Sequence, residues 1–313
     1  MQVDGGKSIS TRPSSTAPPE AAIAAEELTV VPRKHITRWI GAVLVVAFLI
    51  WLGLAMANAQ LDWSIVAQYL TVPVMIEGIL IALGLTVISM GLGLVMGVVT
   101  AVMRMSKNPV TSGVAWLYIW VFRGTPVYLQ LLMWFNVALI FPVLFVPGMG
   151  VVRTIDVVTP FIAAFIALGL NQGAYTSEVI RSGIMSVDEG QTEAASAIGM
   201  TRLHLMRRIV LPQAMRVVIP PVGNEVISMV KTTSLASAIG VTEILSQAQH
   251  IYYVNSRIME LLIVCAIWYL AATSVLSIGQ YYLERAFAKG SSSRALPPTP
   301  LQKLKAIFAA KRS

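Results

Sequence analysis

With 313 residues, 56% of them apolar and only 12% charged, the chain gathers its apolar residues into runs long enough to cross a hydrocarbon core about 30 Å thick, which takes about 20 helical residues. This excludes a soluble enzyme, and because backbone N–H and C=O groups in lipid must be satisfied within the fold, runs without strand alternation form helices: the fold class is all-α integral membrane. A net charge of +8 on such a chain reflects Lys and Arg in cytoplasmic loops, so nucleic acid is not needed to explain it.

Residues 1–32, rich in Ser, Thr, Pro and Ala, have no apolar periodicity and read as disordered; with Arg33, Lys34 and Arg38 they make up a cytoplasmic tail over 1–38. Gly6-Lys7-Ser8 resembles the end of a phosphate loop, but Met1 stands where that motif needs its first glycine, and no strand precedes it. The uncharged run 39–57 predicts an extra transmembrane helix. A signal peptide is the competing reading, since Ala57-Asn58-Ala59 looks like a cleavage site. The basic region would then follow a tail of roughly 30 residues and the apolar run exceeds the usual 7–15 or so, so a retained helix is expected.

Further spans are predicted at 75–103, 113–142, 160–185, 211–232 and 257–285, giving six crossings. Arg33, Lys34 and Arg38, then Arg104 and Lys107, then Arg202, Arg207 and Arg208, and finally Arg285 and Lys289 all fall on one side. That side is cytoplasmic, and so are both termini. The opposite loops, 58–74, 143–159 and 233–256, hold Asp62, Arg153, Asp156, Glu243 and His250. Cys265, the single cysteine, lies inside an apolar run, and His35, His204 and His250 are scattered, so neither a disulfide nor a metal site is expected. Residues 286–313 form a basic cytoplasmic tail in which Leu301, Leu304, Ile307 and Phe308 recur at helical spacing among Lys303, Lys305, Lys311 and Arg312; such a tail suits anionic lipid or simple solvation.

Three segments carry more information than hydropathy. Gly91-Leu-Gly93-Leu-Val-Met-Gly97 misses the dinucleotide spacing, and its Gly93 to Gly97 step suits close helix packing in lipid. Phe122-Arg123-Gly124-Thr125-Pro126 places an arginine in an apolar stretch, where a charge is paired, faces a water-filled cavity or reaches an interface. Pro126 removes a helical hydrogen bond and Gly124 loosens the same turn, so a break is expected, of the kind that borders substrate paths in transporters. The cytoplasmic segment 186–212 opens with Ser186-Val-Asp-Glu189 at capping-box spacing, continues through Ala194, Ala195 and Ala197 to Gly199, a left-handed stop, and returns through Leu203, Met206 and Val210 to Pro212 at the start of the next span. Its thin, small-residue surface with Glu193 reads as a docking element or as an ordinary interfacial helix between two spans.

Glu193-Ala194-Ala195, Gly199, Ile209, Leu211 and Pro212 resemble the loop by which permeases of bacterial ABC importers engage their ATPases. Phe122 to Pro126 with Leu129-Gln130 resembles the hallmark of the polar amino acid members of that family. Gly173-Ala174-Tyr175 with Glu178 and Arg181, Glu189-Gly190-Gln191, Leu211-Pro212-Gln213-Ala214 with Arg216, Asn224-Glu225 and Lys231-Thr-Thr-Ser-Leu235 agree. Thr232 departs from the family's frequent Asp, so no role for that carboxylate carries over. The resemblance covers 75–285 and implies a five-helix type I permease core to which the first helix is an addition, in the bacterial inner membrane.

It further implies two permeases, alike or different, which the Gly93 and Gly97 face would serve; two cytoplasmic ATPases, which hold the ATP; a solute-binding protein outside; and a polar amino acid or close derivative as cargo. No catalysis and no cofactor are expected of this chain. Docking falls to Glu193, Ala194, Ala195, Gly199, Ile209, Leu211 and Pro212. The substrate-path candidates are Arg123, Gly124, Thr125, Pro126, Asn171, Glu178, Asn224, Glu225 and Lys231. The alternative is an ion-gradient-driven secondary transporter or channel using Glu178 or Glu225 as a relay. Such proteins often repeat a broken helix in two halves, and neither the Arg123 to Pro126 break nor the Glu193 loop has a second copy.

Overall fold

The computed structural model describes residues 36–58, 61–148 and 150–288. Most of the tail expected over 1–38 and nearly all of the basic tail over 286–313, with Leu301, Leu304, Ile307 and Phe308, lie outside the described residues. Two units are resolved, Met1–Gln60 and Leu61–Ser313. The described part of the first is one helix, α1 (Ile36–Asn58), apolar on every side, as suits a helix in an apolar medium.

The second unit runs α2 (Trp63–Leu70), α3 (Pro73–Arg104), α4 (Pro109–Gly124), α5 (Val127–Phe135), β1 (Val143–Val146), β2 (Gly150–Arg153), α6 (Thr154–Val157), α7 (Pro160–Met185), α8 (Glu189–Ala197), α9 (Arg202–Leu205), α10 (Leu211–Thr232), α11 (Ile244–Asn255) and α12 (Ile258–Ala288). The long helices start where the sequence marks a start. Proline stands in the first turn of α3, α4, α7 and α10, where its missing N–H is one that no helix bond needs. Asn108 caps α4 and Thr159 caps α7 through side-chain oxygens. By length and composition alone, α3 and residues 258–287 of α12 are apolar enough to cross a membrane. The helices α7 and α10 carry polar residues along their length, and these residues build the site described below.

Three expectations are revised. The single span at 113–142 is two helices, α4 and α5, because Pro126 interrupts the ladder. The loops expected at 58–74 and 233–256 contain α2 and α11, started by the side chains of Asp62 and Glu243. The loop at 143–159 holds an antiparallel hairpin in which Val143 faces Arg153 and Phe145 faces Val151. Its base is tied by Thr154, whose N–H donates to the Pro142 carbonyl at 3.0 Å and whose hydroxyl donates to the Phe141 carbonyl. Beside it the exposed Arg153 guanidinium holds the Asp156 carboxyl below the usual carboxylate range.

The most extensive packing joins α3 to α7. A methyl group at Gly93 would stand 2.7 Å from the Gln172 side chain, and one at Gly97 would stand 2.8 Å from Thr176. The fit is reciprocal, because a methyl group at Gly169 or Gly173 of α7 would meet Leu92 or Met96 at 2.6 Å. The Gly93 and Gly97 face is therefore used within the chain and does not serve the pairing with a second permease that was expected of it. Lipid tails are as apolar as leucine, so this seam is held by van der Waals fit rather than by exclusion of water. Around it lie two cores, one joining Leu85, Leu131, Leu168 and Met229, the other joining Val66, Met75, Ile244 and Leu261.

Candidate functional site

Pro126 has no N–H, so the carbonyl of Phe122, four residues back, loses its helical donor. Side chains replace it. Gln130 Nε2 donates to the Phe122 carbonyl at 2.9 Å, to the Thr125 carbonyl at 3.1 Å and to Thr125 Oγ1 at 2.8 Å. Asn171 of α7 donates to the same Phe122 carbonyl at 2.8 Å and to Gln130 Oε1 at 3.2 Å. The break is thus a built joint between α4, α5 and α7. Replacing Gln130 with leucine strips the Thr125 carbonyl of its side-chain donor. That should cost about 1–3 kcal/mol and lower the temperature at which the detergent-solubilised protein loses its monodisperse peak; an unchanged temperature would show that Asn171 alone secures the break.

The joint faces a cavity of about 480 Å³ whose lining includes Arg123, Gly124, Thr125, Pro126, Asn171, Gln172, Tyr175, Glu225, Ser228 and Thr232. Arg123 closes α4, at a helix end that favours a cation, and its guanidinium lies 5.2 Å from the centre of the Tyr175 ring, within cation–π reach. Glu225 of α10 crosses to α7, where its Oε2 accepts from Gln172 Nε2 at 2.7 Å and from Thr176 Oγ1 at 2.9 Å. The cavity therefore offers a cation, a carboxylate and amide and hydroxyl groups on three helices.

Six of the nine substrate-path candidates line it: Arg123, Gly124, Thr125, Pro126, Asn171 and Glu225. The other three do not. Glu178 is paired with Arg181 on its own helix at 2.8 Å, and Asn224 and Lys231 are exposed elsewhere on α10. Thr176 and Ser228 went unnoticed in the sequence. The signal for Thr176 was its place four residues after Gln172, on the same face of a helix.

The segment 186–210 joins the two helices that meet at Glu225. Its first helix, α8, is capped by Asp188, whose Oδ1 accepts from Gly190 N–H at 2.7 Å. Ser186, the cap expected from the capping box, instead donates its hydroxyl to the Gly183 carbonyl of α7, because α7 runs on to Met185 and leaves no room for a new start there. Glu193 and Ala194 are exposed, Ala195 is buried and so packs within the loop, and Gly199 reverses the chain at a φ of +79°, a conformation glycine adopts without cost. Ile198 and Leu203 are 79% and 78% exposed, and open apolar side chains in the same loop as Glu193 suit a protein partner. Ile209 is half-buried in a π-helical turn (Met206–Val210) that leads into the exposed Leu211 and Pro212.

Residues 93–289 match the family described as binding-protein-dependent transport system inner membrane component. This chain belongs to that family. Among its relatives, the arginine transport system permease protein ArgU of Corynebacterium glutamicum is 45% identical over 263 residues, 83% of each chain. The L-cystine transport system permease protein TcyB of Bacillus subtilis is 40% identical over 229 residues, 73% of this chain and 92% of that one. A chain of the crystal structure of an amino acid ABC transporter with histidines is 36% identical, with a TM-score of 0.63 over 73% of this chain and 100% of that one. The ion-gradient alternative is thereby set aside for this permease.

Proposed function

We propose that this permease forms one half of the pathway of an ATP-driven amino acid importer and transmits the power stroke of a cytoplasmic ATPase to it. The supporting observation is mechanical: the exposed loop 186–210 connects α7 to α10, and Glu225 ties those two helices together at the cavity wall. Movement of the loop is carried along both helices to the cavity. Glu193, Ala194 and Gly199, with Ile198 and Leu203, form the docking surface for the ATPase, which binds the ATP.

The cargo is an amino acid, in keeping with the transport systems named for the relatives. A zwitterion needs a cation for its carboxylate and a carboxylate or carbonyl for its ammonium, and Arg123 and Glu225 supply both within one cavity. A solute-binding protein delivers the cargo from outside, and a second permease, identical or not, completes the pathway. Six helices cross the membrane, α1 among them, with Arg104, Lys107, Arg202, Arg207, Arg208 and Arg285 and both termini on the cytoplasmic side.

Replacing Glu193 with alanine or Gly199 with valine should lower substrate-stimulated ATPase activity of the reconstituted importer while membrane insertion stays intact. The valine is penalised by the positive φ, a strain of about 1–3 kcal/mol for such a residue. Wild-type coupling in both variants would remove the docking assignment.

A further inference from the structure

From Val137 to Val152 no side chain carries a charge or a hydrogen-bonding group, yet this stretch contains a hairpin. Its strands alternate as strands do, but both faces are apolar up to Arg153, the last residue of β2. Val143, Phe145 and Val151 share one face, at 55%, 75% and 71% exposure. The approach to the hairpin is also apolar and open, since Leu139, Ile140 and Phe141 are 82%, 68% and 56% exposed. They are separated from the exposed Met133 and Phe135 of α5 by Asn136, whose amide bonds back to the Leu132 carbonyl, and by two half-buried residues. The first charge is Arg153, which stands opposite Val143 at the base of that same face and is paired with Asp156 at 2.8 Å in the open.

We infer that this hairpin is a membrane-surface anchor whose Val143, Phe145 and Val151 face sits among lipid at the boundary between headgroups and acyl chains. Its chemistry sets the depth. A surface in water, or one that meets a soluble partner, mixes polar groups with apolar ones throughout, and this one has its single polar side chain, Arg153, at the base of the hairpin. A two-stranded sheet leaves the N–H and C=O groups of both outer edges unpaired, and in the hydrocarbon interior these have no partner. The edges require water or headgroups while the faces require acyl chains, a combination met only at the interface. The Arg153 and Asp156 pair marks the level at which the chain leaves it. The inference is independent of the cargo and of the direction of transport.

The test places a cysteine at Val151, and separately at Phe145, in the full importer, labels it with an environment-sensitive fluorophore and reconstitutes it in phosphatidylcholine vesicles. Cys265 is buried and stays unlabelled. Nitroxide lipids spin-labelled near the headgroup should remove most of the emission from both positions, those labelled deep in the chain much less, and aqueous iodide little, with or without the binding protein. Quenching by iodide that the binding protein abolishes would overturn the inference in favour of a protein-docking face. Quenching by neither reagent would overturn it in favour of burial against another permease chain. Two positions on one face keep the result readable if one variant fails to fold.

Discussion

Replacing Glu225 with glutamine should reduce amino acid uptake by about 10- to 100-fold at low substrate, while the protein remains monodisperse and inserted. Glutamine keeps the shape and an acceptor oxygen for Gln172 and Thr176 but loses the charge. A hydrogen bond to a charged group contributes about 1.5–3 kcal/mol, and each 1.4 kcal/mol or so is a factor of about ten. Alanine at the same place should do two things at once, abolishing uptake and loosening α7 from α10, because Gln172 and Thr176 lose their common acceptor. The pair of variants separates recognition from construction. If the glutamine variant transports at the wild-type rate and only the alanine variant fails, Glu225 is a clamp and the ammonium of the cargo is bound elsewhere.

Replacing Gly78 with valine should cost the upper end of the roughly 1–3 kcal/mol, or more, expected of an overpacked contact and should remove most of the monodisperse protein recovered after mild extraction. The atoms a side chain would strike there are backbone: a methyl group at Gly78 would stand 2.7 Å from Ile244 Cα and 2.8 Å from its nitrogen, at the first residue of α11. Gly91, on the same helix, has nothing within 4 Å. Its replacement by alanine should be neutral, or stabilising by up to about 1 kcal/mol through reduced backbone freedom. Wild-type recovery of Gly78→Val would mean that α11 docks on α3 in some other way.

These cases show what the sequence disclosed. The helices α3, α7, α10 and α12 lie within three residues of the predicted spans at each end, because long apolar runs opened by proline are local signals. The break at Pro126 was equally local. What Asn171 and Gln130 do there was hidden, since the Phe122 carbonyl finds its donors 49 and 8 residues away. Glu243 stood out only as a loop charge; in the structure it is fully buried, capping α11 through Leu245 and Ser246 N–H. Burial of that kind depends on the packing of α12 and leaves no mark on neighbouring residues. Of the six candidates around the cavity, Arg123, Asn171 and Glu225 were legible as polar groups in apolar runs and Gly124, Thr125 and Pro126 as a helix break. The first rule also selected Glu178, Asn224 and Lys231, which do not line this cavity, since cost at membrane depth does not say which way a side chain points.

α12 supplies hydrogen bonds to three earlier parts of the chain. Tyr269 donates to the Glu243 carboxylate at 2.8 Å, Trp268 to the Leu70 carbonyl at 3.1 Å and Gln280 to the Pro220 carbonyl at 3.1 Å. During synthesis these acceptors leave the ribosome well before their donors, so α2, α10 and the start of α11 wait for the final helix to complete them. A messenger truncated before codon 258 would yield a product with all the cavity residues but without the donors that fasten α2, α10 and the start of α11.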